Sequence, residues 1–466
     1  MLHVNSHPFL QINTVSMPKL ITTRTRIADL GKPRIIIVGG GFGGLEVAKA
    51  LKGFKAQVVL FDKYNHHTFQ PLLYQVATSG LETSSIVAPF RKLFGSQADF
   101  YFRLAEVINV KPEENYIETS IGGVKYDYLV IATGAITNFH GMKEVEKNSS
   151  SMKTIVDATK LRNKIIRNLE YALLAEDEEA MNSFMDFVIV GGGPTGVELA
   201  GALSELKKNV FPKDYKELDM RAMDIHLIEA SPRLLNGMSA QASAKALEFL
   251  TEMGVQVRVN TAVKSYDGYE ALLSDGNKLI TRSLIWTAGV QANPIAGLEP
   301  ELMNKGKRLF VDQFNRVRGL KNIFAIGDVA LMEGDEHFPK GHPQMAPPAQ
   351  QQGRLLAKNI MNLILNKPLK AFHYHDKGAM ATIGRNKAVV DMKGGIRFQG
   401  AFAWYIWMFV HLMSLVGFRN KVFTFLSWMW NYFSFDRSNR LIIGRNEEKM
   451  NSDEVKPEET KLMVET

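Results

Sequence analysis

The feature that most constrains this chain is a unit of strand, glycine-rich turn, helix and second strand that occurs twice. In the first copy an apolar run, residues 34–38, leads into Gly39-Gly40-Gly41-Phe42-Gly43-Gly44, a helix-forming stretch, and a second apolar run that ends at Asp62. A lone G-x-G-x-x-G pattern is weak evidence for a dinucleotide-binding site. The strand before it, the helix after it and the acid at the end of the next strand make it typical of a dinucleotide-binding unit rather than of a turn without a ligand.

The second copy has the same order of elements. Residues 187–190 lead into Gly191-Gly192-Gly193-Pro194-Thr195-Gly196, a helix follows, and the next apolar run ends in Glu229. Each copy is followed by a strand that stops at small residues, 95 residues after Gly39 in the first copy and 98 residues after Gly191 in the second. This internal duplication predicts two dinucleotide ligands.

Composition excludes several kinds of redox site. The 466 residues contain no cysteine, which excludes disulfides, thiolate metal sites and iron–sulfur clusters. Electron chemistry therefore requires an organic cofactor or a metal without thiolate ligands, and we expect no metal site. The net charge of +8 favours an anionic cofactor or an anionic membrane surface. No basic stripe interleaved with aromatic residues occurs, so we expect no nucleic-acid partner.

A third element, Asn322-Ile-Phe-Ala-Ile-Gly-Asp328, has no counterpart in the second half of the chain. The order GGGFGG, ATG, GGGPTG, TAG and IFAIGD over about residues 34–365 resembles the two-dinucleotide flavoprotein superfamily. The resemblance implies an α/β fold with two Rossmann-like domains, in which the NADH domain is inserted into the FAD domain. It also implies that the first module binds FAD and that the second binds the nicotinamide nucleotide.

The C-terminal region has a different composition. The 21 residues from Phe398 to Phe418 carry no formal charge, residues 422–435 are a second uncharged stretch, and four of the five tryptophans lie in these stretches. Tryptophans flanked by Arg419 and Lys421 are typical of a bilayer interface. We therefore predict amphipathic helices that lie in the membrane surface. A dimer core and a true transmembrane span are the alternatives, and the dimer and membrane hypotheses are compatible.

This region narrows the resemblance. Residues 404–421, together with Met380-Ala-Thr-Ile-Gly-Arg385, resemble the type II NADH dehydrogenases, which are single-subunit, non-pumping NADH:quinone oxidoreductases of respiratory membranes. That family has an A-Q-x-A-x-Q-like motif beside the flavin. The corresponding stretch here, residues 346–351, has Pro347 in place of the first glutamine and retains the second as Gln351.

The resemblance implies bound FAD, NADH as substrate and a membrane quinone, ubiquinone or menaquinone, as acceptor. It further implies a homodimer that contacts lipid at the cytoplasmic side of the cell inner membrane. Relatives that need a dithiol, a persulfide-forming cysteine or a cysteine nucleophile are excluded because the chain has none. Two alternatives stay open: a soluble ferredoxin or rubredoxin reductase, and an apoptosis-inducing-factor-like flavoprotein with a binding role.

The glycine turns, helix N-termini and strand ends supply the predicted cofactor contacts. Asp62 would accept hydrogen bonds from the adenosine ribose, and Lys63 is either a cofactor contact or a solvated lysine. The predicted FAD contacts are Gly39, Gly41, Phe42, Gly43, Gly44, Asp62, Lys63, Thr133, Gly134, Gly327, Asp328, Ala349 and Gln350. The predicted NADH contacts are Gly191, Gly193, Pro194, Thr195, Gly196, Glu229, Ala288 and Gly289.

Glu229 would bind the ribose 2′-hydroxyl and repel a 2′-phosphate, which favours NADH over NADPH, although Arg233 opposes that preference. Three residues are predicted to be catalytic. Glu198, in the first turn of its helix, would steer hydride geometry or proton delivery, with its carboxylate stabilised by the helix dipole. The resemblance implies a quinone-side role for Gln351 and stabilisation of reduced flavin by Lys377. The alternatives are an ordinary helix acid for Glu198 and a surface lysine for Lys377.

The predicted domain organisation follows from these motifs. It consists of an N-terminal tail, disordered or an upstream extension, over residues 1–33, an FAD domain over 34–150 and 313–372, an NADH domain over 151–312, a membrane-binding and dimerisation region over 373–446, and a disordered acidic tail over 447–466. A transit peptide is an alternative for the first segment.

Overall fold

The computed structural model describes residues 25–437 and 439–444. The acidic tail predicted over residues 447–466 and most of the predicted N-terminal tail, residues 1–24, lie outside the described residues. The described helices are α1 Phe42–Ala50, α2 Leu73–Ala77, α3 Phe90–Phe94, α4 Lys143–Asn148, α5 Ile155–Ala172, α6 Glu178–Met185, α7 Pro194–Asn209, α8 Phe211–Asp214, α9 Ala240–Glu252, α10 Ala346–Ile364, α11 Gly400–Ser414 and α12 Phe418–Ser434.

The described strands are mostly short. They are β1 Arg34–Val38, β2 Gln57–Asp62, β3 His66–Thr68, β4 Val87–Pro89, β5 Phe100–Leu104, β6 Val107–Lys111, β7 Tyr116–Thr119, β8 Gly122–Lys125, β9 Tyr128–Ile131, β10 Ala135–Thr137, β11 Ser150–Ser151, β12 Phe187–Val190, β13 Ile225–Ile228, β14 Gln256–Arg258, β15 Val263–Tyr266, β16 Glu270–Leu273, β17 Lys278–Ile280, β18 Ser283–Trp286, β19 Val290–Ala292, β20 Leu309–Val311, β21 Ile323–Ala325, β22 Ala330–Met332, β23 Ala379–Gly384, β24 Lys387–Asp391 and β25 Arg397–Gln399.

Unit 1 comprises described residues 25–67, 89–135 and 291–375. Its main sheet is parallel, with the strand order β21-β9-β1-β2-β5. In β1 the run Ile35, Ile36 and Ile37 is fully buried, as expected for a parallel strand covered on both faces. The last nine residues of the predicted tail contact this unit: the Ala28 carbonyl accepts hydrogen bonds from Arg34 and Gln57, and Ile27 packs against the core.

Unit 2 comprises described residues 68–88, 136–290 and 376–444, except Ser438. Its parallel sheet has the strand order β11-β18-β12-β13-β14, which repeats the β-α-β arrangement of unit 1. The antiparallel sheet β23-β24-β25 packs against α7, α9 and α11. The units differ from the predicted domains in several places. Residues 68–88 and 136–150, predicted in the FAD domain, lie in unit 2, and residues 291–312, predicted in the NADH domain, lie in unit 1. The predicted C-terminal region is grouped with unit 2 from residue 376 onward.

The inserted topology follows from the strand order. The chain leaves the first sheet after β9, forms the second sheet, and returns to pair β21 with β9 in parallel. Phe42 to Gly44 and Pro194 to Gly196 form the first helical turns of α1 and α7, so the last glycine of each turn lies inside its helix. Two dinucleotide-binding modules, one inserted in the other, are therefore present as predicted.

The C-terminal uncharged stretches form α11 and α12, joined by a short turn. On α12 the side chains of Asn420, Thr424 and Trp428 are buried, whereas Phe418 and Phe433 are 83% and 77% exposed. Within the described part of the chain, no helix combines the length and the apolar character needed to cross a membrane.

Candidate functional site

The two glycine turns share one backbone geometry. Gly39 and Gly191 have φ of +97° and +111°, a region that favours glycine. A Cβ at Gly44 would collide with the Gly39 carbonyl oxygen, and a Cβ at Gly196 would collide with that of Gly191. These four glycines are therefore required for the turn and for close packing of the helix on its strand.

The middle glycine of each turn is different. Gly41 and Gly193 have ordinary φ values of −66° and −73°, and a Cβ at either position would meet nothing within 4 Å. Neither α1 nor α7 has a side chain that caps its N-terminus in the described residues. Each turn thus opens onto helix N–H groups and a positive dipole end, which fits a dinucleotide pyrophosphate.

The acid at the end of the second strand holds each turn in place. Asp62 Oδ2 accepts a hydrogen bond from the Gly40 N–H at 2.6 Å, and Oδ1 accepts one from the Tyr64 N–H at 2.8 Å. Glu229 Oε2 accepts from the Gly192 N–H at 2.5 Å, and Oε1 accepts from the Ser231 N–H at 2.6 Å. Each carboxylate oxygen retains a lone pair for a ribose hydroxyl. Burial raises the pKa of Asp62, while the Gly40 and Tyr64 N–H groups oppose that rise.

Other predicted FAD contacts lie at the carboxyl ends of the unit 1 strands. Thr133 follows β9, and its Oγ1 is buried without a hydrogen-bond partner among the described residues. Gly134 has φ of +69° and open space beside it. Gly327, with φ of +70°, and Asp328 follow β21, and Ala349 packs against Gly327. A buried hydroxyl without a partner beside an open glycine fits a bound ligand.

Lys63 lies in an ion pair with Glu106 at 2.6 Å, in which both side chains are more than half exposed. The geometry therefore favours the solvated alternative, and a contact to FAD stays a prediction. In unit 2, Arg233 donates from Nε and from one NH₂ group to Asn236 at 3.0 Å each. Because its guanidinium is engaged within its own loop, Arg233 is poorly placed to attract the 2′-phosphate of NADPH. This weakens our expectation that Arg233 opposes the preference for NADH.

The remaining predicted NADH contacts surround the unit 2 turn. Pro194 and Thr195 are the first residues of α7, and a Cβ at Gly191 would press against the backbone of Ala288. Gly289 has φ of +88°, and a Cβ there would lie 3.0 Å from Nε2 of His140.

Glu198 lies in the second turn of α7 rather than in the first, and its environment differs from the prediction. The side chain is only 8% exposed and lines a cleft with Tyr74, Trp404, Trp407 and Thr382. Burial raises the pKa of Glu198 to about 8, although the Thr382 N–H and the Trp407 indole lower it. Burial therefore opposes the dipole-stabilised carboxylate that we expected and favours the protonated form of Glu198.

The other two predicted catalytic residues lie elsewhere. Gln351, in unit 1, donates from Nε2 to the His375 carbonyl at 2.9 Å and accepts from the His375 N–H at 3.0 Å. Its amide therefore holds a backbone segment. Lys377, in unit 2, is exposed and does not line the cleft around Glu198.

Comparison with known proteins places this geometry in a family. Residues 33–353 match the family model of the pyridine nucleotide-disulphide oxidoreductases, and residues 376–438 match the NDH2 C-terminal domain. The chain is 33% identical over 415 residues to the type II NADH:quinone oxidoreductase NdhA of Mycobacterium tuberculosis, which covers 85% of this chain and 87% of that protein. It is 29% identical to the type II NADH:quinone oxidoreductase of Haemophilus influenzae, over 81% of this chain and 92% of the relative.

The chain belongs to the type II NADH:quinone oxidoreductase family. The solved structure of NDH2 from Plasmodium falciparum in complex with NADH shows the same fold, with a TM-score of 0.81 at 23% identity, covering 89% of this chain and all of that one. The predicted family, the fold class and the class of enzyme are confirmed. Type II NADH dehydrogenases are FAD flavoproteins that use NADH, which confirms the predicted cofactor pair.

Sequence reasoning missed one residue near the first turn of this NADH:quinone oxidoreductase. His67 is 1% exposed, its Nδ1 donates to the Gly40 carbonyl at 3.0 Å, and its ring meets Phe42 edge-on at 5.2 Å. Burial lowers the pKa of His67 to about 4, so the imidazole is neutral. The sequence does place a histidine, His67, five residues after Asp62, but the neighbouring His66 makes it hard to single out.

Proposed function

We propose that this chain oxidises NADH and reduces a membrane quinone through FAD, without pumping protons. The observation that carries the proposal is the presence of two glycine turns, each open at its middle glycine, in one chain that has no cysteine. Two such turns accommodate two dinucleotides. Without cysteine, electrons must leave from the flavin itself, and the relatives NdhA and its Haemophilus influenzae counterpart are named NADH:quinone oxidoreductases.

Unit 1 would hold FAD. The N-terminus of α1 and the open side of Gly41 would bind the pyrophosphate, and Asp62 would accept hydrogen bonds from the adenosine ribose. Thr133 and Asp328, at the ends of two strands, would bind the remaining hydroxyl and phosphate groups. When bound, FAD would supply the redox chemistry that carries electrons from NADH to a quinone.

Unit 2 would bind NADH at the corresponding turn, with Pro194 and Thr195 at the N-terminus of α7. Glu229 would bind the ribose hydroxyls, and its charge would repel the 2′-phosphate of NADPH. Arg233 is hydrogen-bonded to Asn236 and so is poorly placed to attract that phosphate. Preference for NADH follows.

Glu198 would supply a proton to the quinone. Reduction of a quinone to a quinol consumes two protons, and a buried acid with a pKa of about 8 holds a proton at neutral pH. The tryptophans of the cleft give it an apolar wall suited to a quinone ring. Gln351 would act by fixing the backbone at His375, and Lys377 would stabilise negative charge on the reduced flavin.

The membrane contact would be the exposed face of α11 and α12. Many of its large apolar side chains are at least 45% exposed, and so many on two adjacent helices form a patch rather than scattered surface residues. They include Phe402, Tyr405, Phe409, Met413, Phe418, Phe423, Phe425, Trp430 and Phe433. Arg419 and Lys421 would meet anionic headgroups. We place the protein on the cytoplasmic face of the inner membrane as a peripheral homodimer, in line with the resemblance.

The function is tested by steady-state NADH oxidation with ubiquinone, menaquinone and a ferredoxin offered separately to the purified protein. We expect turnover with a quinone and none with the ferredoxin. Turnover with ferredoxin alone would replace this proposal with a soluble reductase. A stable complex of reduced protein and NAD⁺ without quinone turnover would instead favour a flavoprotein whose main role is binding.

Membrane attachment is tested with a double variant, Phe418→Ser/Phe433→Ser, in sedimentation with vesicles that contain an anionic phospholipid. Loss of two large side chains that would be buried in the bilayer should weaken binding at least about tenfold. Leu174→Ser is the matched control, because Leu174 is 76% exposed but lies outside α11 and α12. Equal binding by the double variant and its parent would contradict this membrane face.

A further inference from the structure

Two glutamine side chains hold the turn that carries Asp328. Gln352 Oε1 accepts a hydrogen bond from the Gly327 N–H at 2.7 Å. Gln344 Nε2 donates to the Asp328 carbonyl at 3.0 Å. The N–H at one end of the Gly327–Asp328 pair and the C=O at the other are therefore both bound by side chains from the start of α10 and the loop before it.

Gln352 lies where three elements of unit 1 meet. It is 2% exposed, and the next residue, Gly353, packs so closely on α1 that a Cβ there would collide with the Gly43 carbonyl oxygen. A Cβ at Gly43 would in turn lie 3.0 Å from Ile326, the residue before the turn. Gln352 thus links the turn to α10 and, through α10, to α1, whose N-terminus faces the open side of Gly41.

The amide of Gln352 suits this position for a physical reason. Gly327 has φ of +70°, and the strand β21 ends just before it, so its N–H has no ladder partner. A partly buried N–H without an acceptor is costly, and the turn would rotate to reach water. Such a rotation would move the Asp328 carboxylate away from the position set by β21.

We propose that Gln352, assisted by Gln344, is a positioning residue for the flavin cofactor: it fixes Asp328 relative to the N-terminus of α1, so that the two bind one FAD molecule together. The inference rests on the proposed role of Asp328 in holding FAD. It assigns separate tasks to neighbouring glutamines, since Gln351 binds the backbone of His375 and Gln352 binds that of Gly327. The sequence motif had drawn attention only to Gln350 and Gln351.

The test measures FAD release from the full-length holoenzyme, followed as the rise in flavin fluorescence after dilution. Gln352→Met keeps the size of the side chain and removes the acceptor, and we expect release to become about tenfold faster. Gln352→Glu keeps a carbonyl oxygen at the same position and should restore release to within about threefold of the parent. Gln344→Leu, at a less buried site, should accelerate release by a smaller factor.

Asn359 provides a matched control on the same helix. It is 1% exposed and binds the backbone of Lys370 through both atoms of its amide, two turns beyond Gln352. Asn359→Leu should lower the melting temperature and leave FAD release unchanged. Equal acceleration in Asn359→Leu would mean that general loosening of α10 is responsible, and the inference would be overturned.

Asp328→Ala separates this inference from the proposed function. Fast release in Asp328→Ala with parental release in Gln352→Met would overturn the positioning role alone. Parental release in Asp328→Ala would overturn the assignment of Asp328 to FAD. If Gln352→Met does not fold, Gln344→Leu decides, and parental release in that variant would overturn the inference.

Discussion

In unit 1 the glycine turn leads into α1, and in unit 2 the equivalent turn leads into α7. Both turns have a left-handed first glycine, a last glycine pressed on the first, an open middle glycine, and an acid that binds the turn's backbone. The difference lies in what packs on the helix. Helix α1 packs backbone to backbone on α10, whereas α7 packs at Gly201 against the carbonyl of Ile383 in β23.

This difference suggests how one module serves two purposes. In unit 1, α10 and the Gly327–Asp328 turn add a third set of contacts beside the glycine turn, which suits a cofactor that stays bound. In unit 2 there is no equivalent of IFAIGD in the sequence, and the packing against β23 instead buries Glu198 in a cleft. We infer that unit 2 is adapted to a ligand that exchanges and to a proton donor beside it.

The strongest test of this comparison fills the open side of each turn. Gly41→Val should leave a folded, colourless protein without FAD. The fold has room for the valine side chain, but that side chain would occupy the space that the pyrophosphate needs. Gly193→Val should retain FAD and slow NADH reduction of the flavin about a hundredfold or more. Flavin absorbance and stopped-flow reduction measure the two outcomes.

Gly44→Ala and Gly196→Ala serve as controls for folding. Their Cβ atoms would collide with backbone oxygens, so both variants should melt at lower temperature than either valine variant. A yellow Gly41→Val protein with normal FAD content would show that the first module does not hold the cofactor at this turn.

The next test concerns Glu198, which is buried in the unit 2 cleft. Because its pKa is about 8, Glu198 should donate a proton at neutral pH, and parental quinone reduction should fall as pH rises through about 8. Glu198→Gln should abolish that pH dependence and slow quinone reduction at neutral pH by about a hundredfold. NADH reduction of the flavin, measured by stopped flow, should change little.

Stability gives an independent check on the same group. The folded-state pKa lies above the ordinary value of 4.5, so the folded chain keeps a proton that the unfolded chain loses. The contribution of Glu198 to the free energy of unfolding is fully present below about pH 4.5 and is lost as pH rises through about 8. Glu198→Gln does not titrate, so its melting temperature should rise relative to the parent over that range. A constant difference would mean that Glu198 is ionised in the folded protein.

The contrast between the modules also explains what could be predicted from the sequence. Strands such as β1 and β12 and both glycine turns follow from local residue patterns, because their geometry depends on residues within about one helical turn. The raised pKa of Glu198 depends on burial and on contacts with Thr382 and Trp407, which lie about two hundred residues away in the chain. Likewise, the partner of Gln351 is a backbone group of His375, which no side-chain motif reveals.

A smaller effect should follow from the acids that terminate the second strands. Glu229→Gln removes the negative charge but keeps one oxygen for the backbone of the turn, so the ratio of NADH to NADPH efficiency should fall about tenfold. Asp62→Asn is the matched change in unit 1 and should weaken FAD binding without altering that ratio. If the unmodified protein used NADH and NADPH equally, Glu229 would not determine nucleotide preference.

The smallest effect concerns the residue after each acid, Lys63 in unit 1 and Ala230 in unit 2. Lys63 pairs with Glu106 on the surface, and an exposed pair contributes only about 0–1 kcal/mol. Lys63→Met should therefore change FAD release by less than about threefold, with little change in melting temperature. Release that is tenfold faster, with the melting temperature of the deflavinated protein unchanged, would show instead that Lys63 leaves Glu106 to bind FAD. The first module would then hold its dinucleotide with a cation that the second module lacks.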